Sequence, residues 1–135
     1  MEPVPSEYQD LFEKPSIAYV ATLLPDGTPH VTPTWIDFDG ENLLVNTIRD
    51  NRKDRNVRDD PRITVAVADP ENPYRYLSVR GEVVERREEN AREHLDAIAE
   101  RYTGQPTYPG PSGERVVLVI RPDAVSGQSP PRRSE

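Results

Sequence analysis

The chain has 135 residues and carries 17 Lys and Arg against 24 Asp and Glu, which gives a formal net charge of −7. This length suits a single domain, and the acidic balance argues against a general nucleic-acid binder, whose footprint is a surplus of positive charge. Cysteine is absent, which excludes disulfides, thiolate metal sites and cysteine nucleophiles, and no apolar run approaches the length of a membrane span.

The N-terminal part predicts a short helix followed by a strand and a turn. Met1–Glu13 is acidic and contains two prolines, unlike a signal peptide, so we expect a cytoplasmic protein without membrane attachment. Ser6 is a candidate cap for a helix over Glu7–Glu13. The β-branched and apolar run Ser16–Leu24 predicts a buried strand, and the Pro-Asp-Gly sequence at 25–27 predicts a turn after it.

Two more strands and a polar helix follow. His30–Phe38 alternates in character along its length and predicts a second strand, and the Asp-Gly pair at 39–40 predicts a hairpin turn. Asn42–Ile48 predicts a third strand. The polar stretch Arg49–Asp60 predicts a helix of about three turns, with Asp50 or Asn51 as its N-cap.

The second half predicts three strands and the clearest helix. The apolar positions Ala91, Leu95, Ile98, Ala99 and Tyr102 recur at helical spacing and mark one face of a helix over Glu88–Tyr102, which leaves His94 on its polar side. Strands are predicted at Arg62–Ala68, at Tyr74–Arg87 with a bulge at Gly81, and at Arg115–Arg121. We expect residues 1–128 to form one domain and residues 129–135 to form a disordered tail.

Six short strands with hairpin turns and two or three peripheral helices predict a mainly β fold, a small antiparallel barrel. A parallel sheet is excluded because the first three strands lack crossover helices between them.

Positive charge is concentrated on the predicted polar helix and its flanks. The basic residues there are Arg49, Arg52, Lys53, Arg55, Arg58 and Arg62. Cations in the first turn of a helix are suited to binding an anion, and the preceding strand ends in Asn46-Thr47, whose amide and hydroxyl suit a polar ligand edge. A charge run of this kind is more often a solvated surface laced by acidic neighbours, so both interpretations stay open.

Several other residues have two interpretations each. Pro33 cannot donate to a strand ladder, so the backbone beside Trp35 is free for a planar heterocycle, although Trp35 fits core packing equally well. The Tyr74-Arg75-Tyr76 triplet suits either stacking on a ring or packing at an interface. His30 and His94 are too far apart in sequence to suggest a metal site. We find no nucleophile elbow and no glycine-rich phosphate loop, so no catalytic residue is assigned.

Four stretches together resemble the pyridoxamine-phosphate-oxidase-like split-barrel flavoproteins, and most closely their branch of deazaflavin (coenzyme F420)-dependent oxidoreductases. They are ATLLPDGTPHVTPTW at Ala21–Trp35, NTIRDNRKDRNVRDDPR at Asn46–Arg62, DPENPYRYLSVRGEVVE at Asp69–Glu85, and the pair RYTG at 101–104 and YPG at 108–110 before ERVVLVIRP. Their order and spacing carry the resemblance, which extends over nearly the whole domain.

The resemblance implies a six-stranded split barrel of the FMN-binding type that forms a homodimer with two cofactor clefts between its subunits. The implied residues beside the ring are Thr32, Pro33, Thr34 and Trp35, with Asn46 and Thr47 at the ring edge or ribityl chain. The implied phosphate ligands are Arg52, Lys53 and Asn56. The residues implied to close the cleft from the partner subunit are Tyr74, Arg75 and Tyr76.

The activity implied is hydride transfer from a reduced deazaflavin to a small electron-poor organic substrate, with the cofactor supplying the difficult chemistry. Two alternatives stay open, namely an oxidoreductase that uses FMN in the same cleft and a non-catalytic protein that binds a flavin or deazaflavin. The vitamin B6 oxidases bind pyridoxal phosphate through a C-terminal extension that contains Arg and His, whereas this sequence ends soon after IRPDAV at Ile120–Val125. We therefore do not expect that particular activity.

Overall fold

The computed structural model describes residues 1–110 and 113–130. Its strands are β1 (Ala18–Leu23), β2 (Pro29–Thr34), β3 (Asp37–Phe38), β4 (Leu43–Ile48), β5 (Arg62–Asp69), β6 (Asn72–Arg87) and β7 (Arg115–Gln128). Its helices are a 3-10 helix at Ser6–Phe12 and two α-helices, α1 (Arg52–Asp59) and α2 (Ala91–Thr103). None of these helices is long and apolar enough to cross a membrane.

The strands form one antiparallel sheet in the order β2-β1-β5-β6-β7-β4-β3. The two edge strands, β2 and β3, are separated in sequence only by Trp35 and Ile36. The sheet must therefore curl until its two edges approach each other, which produces a barrel that stays open between β2 and β3. The predicted mainly β split barrel is confirmed, with seven strands in the described residues rather than six.

The additional strand arises because the predicted strand His30–Phe38 is divided at Trp35–Ile36. The backbone N–H of Ile36 donates to the Tyr102 hydroxyl at 3.0 Å, and its carbonyl accepts from Arg101 at 2.9 Å. These groups are satisfied by side chains of α2 instead of by a neighbouring strand, so the ladder is interrupted there.

The interior of the barrel is built from alternating apolar residues, as the strand patterns predict. β5, β6 and β7 contribute the buried residues Ile63, Val65, Val67, Leu77, Val79, Val116, Leu118 and Ile120. Helix α2 covers the outer face of the sheet, where Ala91 packs on Leu44, Val117 and Val119. The predicted apolar stripe of α2 is confirmed, because its other members are buried or half-buried too.

The bulge at Gly81 is confirmed by the register shift between Arg80 and Gly81, and a Cβ at Gly81 would overlap the carbonyl oxygen of Arg121. The N-terminal helix is present, but Pro5 occupies its N-cap position and no side chain caps it, so the prediction that Ser6 is the cap was wrong.

The last strand is longer than predicted and continues to Gln128, because β6 pairs with it from Arg87 to Tyr76. Beyond it, the hydroxyls of Ser129 and Tyr8 lie 3.0 Å apart in a hydrogen bond. Residues 131–135 of the predicted tail lie outside the described residues, and the tail stays a prediction.

Candidate functional site

Helix α1 is fixed to the sheet by polar contacts at its first turn. Asn51 is the N-cap, as predicted, and its Oδ1 accepts from the Asp54 amide at 3.0 Å. The Asn51 Nδ2 donates to the Thr47 hydroxyl at 2.6 Å. Asp54 is fully buried and accepts two hydrogen bonds from Arg86 of β6. The helix therefore has a defined position beside the ends of β4 and β6.

The basic residues of this region divide into two groups. Arg49, Arg58 and Arg62 form ion pairs with nearby carboxylates, so they belong to a neutralised surface. Within residues 1–110 and 113–130, neither Arg52 nor Lys53 has a carboxylate partner. Arg52 donates weakly to Asn56 Oδ1 at 3.4 Å, and Lys53 Nζ donates to the Thr47 hydroxyl at 3.4 Å. Arg55 also lacks a carboxylate partner in those ranges, but it is exposed to solvent. The partly buried cations left for an anion are thus the two in the first turn of α1.

Arg115 adds a third cation that the sequence did not single out. It begins β7 opposite Ile48 of β4, and no carboxylate pairs with it in the part of the chain that the structure describes. Burial and the charge of Arg115 both lower the pKa of Lys53, which indicates two cations close together without a neutralising group. The Arg115 guanidinium also lies 4.9 Å from the centre of the Tyr108 ring. This arrangement favours binding of an anion.

Asn46 and Thr47 lie on opposite faces of β4, because successive side chains of a strand alternate. Thr47 pairs with Val116 and faces the barrel interior, whereas Asn46 pairs with Val117 and faces α2. Asn46 is 6% exposed, and its Oδ1 has no hydrogen-bond partner among the described residues. The two adjacent residues therefore serve two different parts of the site.

An aromatic cavity of about 250 Å³ lies beneath α2. Its lining residues are Thr34, Trp35, Asn46, Leu95, Ile98, Tyr108 and Arg115. Trp35 stacks on Tyr102 with ring centres 4.7 Å apart and meets Tyr108 edge-on at 5.6 Å. The structure thus brings three predicted ligand residues together here, and Arg115 connects them to the cationic end at Lys53.

Thr32 and Asn56 belong to a polar cluster where β1 and β2 meet α1. Asn56 Nδ2 donates to the Thr22 hydroxyl at 3.0 Å, and the cross-strand pair of Thr22 is His30. The hydroxyl of Thr32 and the Nδ1 of His30 are buried without a partner in the described chain. Pro33 differs from them, because it pairs with Tyr19 and is exposed on the outer face of the sheet.

The three residues of the aromatic triplet at the start of β6 make different contacts. Tyr74 and Tyr76 are exposed and line an open groove of about 550 Å³ with Gln128. Arg75 instead bonds within its own chain, to both carboxylate oxygens of Asp10 at 2.6 and 3.1 Å and to Asp69 at 3.0 Å. A contribution of this triplet to a partner's cleft stays a prediction, and Arg75 has a structural role in addition.

Arg75→Ala is expected to lower the free energy of unfolding by about 1.5–3 kcal/mol, since it removes charge-assisted hydrogen bonds and leaves Lys14 as the one cation paired with the buried Asp69 in the described chain. Urea denaturation measures this loss. Arg80→Ala is the matched control, because Arg80 is an exposed arginine of the same strand. Equal losses in the two variants would contradict the structural role of Arg75.

A curled antiparallel sheet that stays open between its edge strands is a split barrel, and here an aromatic cavity lies beside cations that have no carboxylate partner among the described residues. Residues 4–129 match the family model described as pyridoxamine 5'-phosphate oxidase. The chain therefore belongs to the pyridoxamine 5'-phosphate oxidase family, which confirms the resemblance seen in the sequence.

Solved structures agree with this assignment. An F420 reductase is 38% identical, with 91% of this chain and 98% of that chain covered and a TM-score of 0.80. A conserved hypothetical protein from Mycobacterium tuberculosis is 27% identical over 98% of this chain and 93% of its own, with a TM-score of 0.74. General Stress Protein 26 from Bacillus anthracis, 19% identical with 90% of each chain covered and a TM-score of 0.67, shares the fold. No curated protein matches the chain significantly.

Proposed function

We propose that the protein is an oxidoreductase that binds coenzyme F420 and transfers hydride to a small electron-poor organic substrate. The observation that carries the proposal is that Lys53 and Arg115, neither paired with a carboxylate in the described chain, meet at the end of β4: Lys53 bonds to Thr47, and Arg115 pairs with Ile48 and lines the cavity beside Trp35. A phosphate-bearing planar cofactor has both features. The similarity to an F420 reductase supports the deazaflavin over FMN.

The residues present fit such a cofactor. Arg52, Lys53 and Arg115 would hold the phosphate, because they are the cations near α1 that are both partly buried and without a carboxylate in the described ranges. Trp35 would border the ring. The buried polar atoms of Thr32 and Asn46 that have no partner in the described chain would meet hydrogen-bonding groups of the ligand, since an unsatisfied buried polar atom destabilises a folded protein.

The chemistry that a reduced deazaflavin supplies when bound is a hydride at its central ring. The chain itself contributes binding and orientation. Stacking on Tyr102 and the edge contact with Tyr108 hold Trp35 in place at the wall of the cavity. Burial of Lys53 strengthens its attraction to an anion, because fewer water molecules screen the charge.

Titration of the purified apo-protein with F420 and with FMN, followed by absorbance and fluorescence, tests the proposal. We expect F420 to bind more tightly, and reduced F420 to be oxidised by members of a panel of enones, imines and quinones. Exclusive binding of FMN would show that the protein is a flavin-dependent oxidoreductase or flavin-binding protein instead. Binding of F420 without turnover would show that it is a non-catalytic carrier. Failure to bind either cofactor would rule out all three.

We expect the protein to form a homodimer through the outer face of β2, β1, β5 and β6. Tyr19, Val31 and Tyr76 are 52%, 57% and 41% exposed on this face. In the described chain α1 contacts β1 and β4 on the interior side of the sheet, and α2 contacts β4 and β7. A stable interface there should bury more than about 2,000 Å². Exposed apolar patches of this kind mark association sites.

Sedimentation equilibrium measures the dimer, and a monomer at micromolar concentration would contradict it. Val31→Asp is expected to dissociate the dimer, because it places a charge in the apolar contact. Val84→Asp makes the same change at a residue of β6 that is 50% exposed but lies beyond the stretch paired with β5, and so outside the expected contact. This control should leave the mass unchanged.

A further inference from the structure

A chain of hydrogen bonds leads from the aromatic cavity through α2 to β3. The two hydrogens of Asn46 Nδ2 are directed to the Ala91 carbonyl at 2.7 Å and to His94 Nδ1 at 3.1 Å. His94 Nε2 lies 2.9 Å from Asp37 Oδ2, and Arg101 donates to the other oxygen of the same carboxylate at 3.0 Å. The four side chains come from β3, β4 and α2, so the chain spans one end of the site.

The pattern of donors fixes the histidine tautomer. Because an amide nitrogen is donor only, His94 Nδ1 must be the unprotonated acceptor, and Nε2 must carry the hydrogen given to Asp37. Burial would raise the pKa of Asp37, but hydrogen bonds from His94 and Arg101 outweigh it and hold the pKa below its usual value. The carboxylate is therefore ionised and accepts both bonds.

The same pattern prevents rotation of the Asn46 amide. A reversed amide would place its oxygen against the Ala91 carbonyl oxygen, and that contact is repulsive whichever tautomer His94 adopts. Asn46 Oδ1 is consequently held in a single direction, buried and without a partner among the described residues. Arg115 Nε is likewise buried and unpaired in the described chain, and both residues line the cavity.

We infer that His94, held by Asp37 and Arg101, is a positioning residue that orients Asn46 so that its carbonyl oxygen accepts a hydrogen bond from an N–H or O–H group of the bound ligand. The inference rests on the proposed function for the presence of that ligand. The donor is either the imide N–H of the deazaflavin ring or a hydroxyl of its side chain. Arg115 offers a donor in the same cavity, which suits a ligand edge with a carbonyl beside the N–H.

A double-mutant cycle on F420 binding tests the inference. Asn46→Ala is expected to raise the dissociation constant about tenfold, and His94→Leu about three- to tenfold. His94→Gln keeps an acceptor for Asn46 and should restore affinity to within about twofold of wild type. In the Asn46→Ala background, His94→Leu should cause no further loss. An equal loss in both backgrounds would overturn the inference, because His94 would then act on the fold and not through Asn46.

Folding and ligand identity are controlled separately. Glu100→Gln, an exposed change on α2, should leave affinity and melting temperature unchanged. Nitrogen-15 spectra of the ligand-free wild-type protein should show His94 protonated at Nε2. The opposite tautomer would overturn the inference, and this measurement does not depend on whether the variants fold.

F420 methylated at its imide nitrogen distinguishes the two donors. If methylated F420 binds the wild type more weakly than ordinary F420 does, but binds Asn46→Ala equally well, the donor to Asn46 is the ring N–H. If methylation leaves wild-type binding unchanged while Asn46→Ala still weakens it, the donor is a hydroxyl. Failure of wild type to bind F420 or FMN would instead contradict the proposed function. Wild-type binding that Asn46→Ala retains would contradict this inference alone.

Discussion

Asp54→Ala is expected to lower the free energy of unfolding by about 3–5 kcal/mol, the cost of removing one partner of a buried ion pair. Asp54 is fully buried and accepts from Arg86 at 2.6 and 2.8 Å and from the Asp50 amide at 2.8 Å. Its removal leaves the partly buried Arg86 guanidinium and a backbone N–H without their acceptors. Helix α1 would then lose its main connection to β6.

Urea denaturation measures the effect, with Asp59→Ala as the matched control. Asp59 is exposed on the same helix, so that variant changes the net charge equally but removes no buried contact. A difference of less than about 1 kcal/mol between the two would show that the pair contributes no more than an exposed one.

Acid should weaken the protein through the same carboxylate. Burial would raise the pKa of Asp54, but hydrogen bonds from Arg86 and the Asp50 amide outweigh it and leave the pKa below its usual value. A lowered pKa in the folded state contributes stability above the pKa of the unfolded chain, and this contribution is lost as the pH falls through the folded value. Stability should therefore fall below about pH 4, and Asp54→Asn should make that fall shallower.

Lys53→Ala is expected to raise the dissociation constant for F420 about ten- to a hundredfold, since a charge-assisted hydrogen bond contributes roughly 1.5–3 kcal/mol. Lys53 is half-buried, and Arg115 lies near enough to lower its pKa. A bound phosphate would relieve that repulsion and gain from both charges. The loss should shrink as salt is added, because the site is only partly shielded from solvent.

Fluorescence titration at low and high salt measures the loss, and Arg55→Ala is the matched control. Arg55 is exposed on the same helix and has no carboxylate partner in the described chain, so it reports the effect of net charge alone. Equal affinities of Lys53→Ala and Arg55→Ala at low salt would place the phosphate site elsewhere.

Local patterns were sufficient for most of the framework. Alternation of Ile63, Val65 and Val67 in β5 and the stripe of α2 identified the buried faces, because side-chain direction follows from the 2.0- and 3.6-residue periods alone. The cap at Asn51 and the bulge at Gly81 were predictable for the same reason, since each is a property of a few adjacent residues. The family and the basic helix were likewise apparent from stretches of contiguous sequence.

Only the tertiary structure determined how these parts combine. The pairing of β4 with β7 places Arg115 near Lys53, and no local pattern specifies which strands become neighbours. His94 was expected on the polar side of α2, yet it is largely buried against Asp37 and Asn46. Each of these contacts joins residues far apart in sequence. Their positions depend on how the sheet curls, and that depends on the packing of the whole core and not on the periodicity of any one segment.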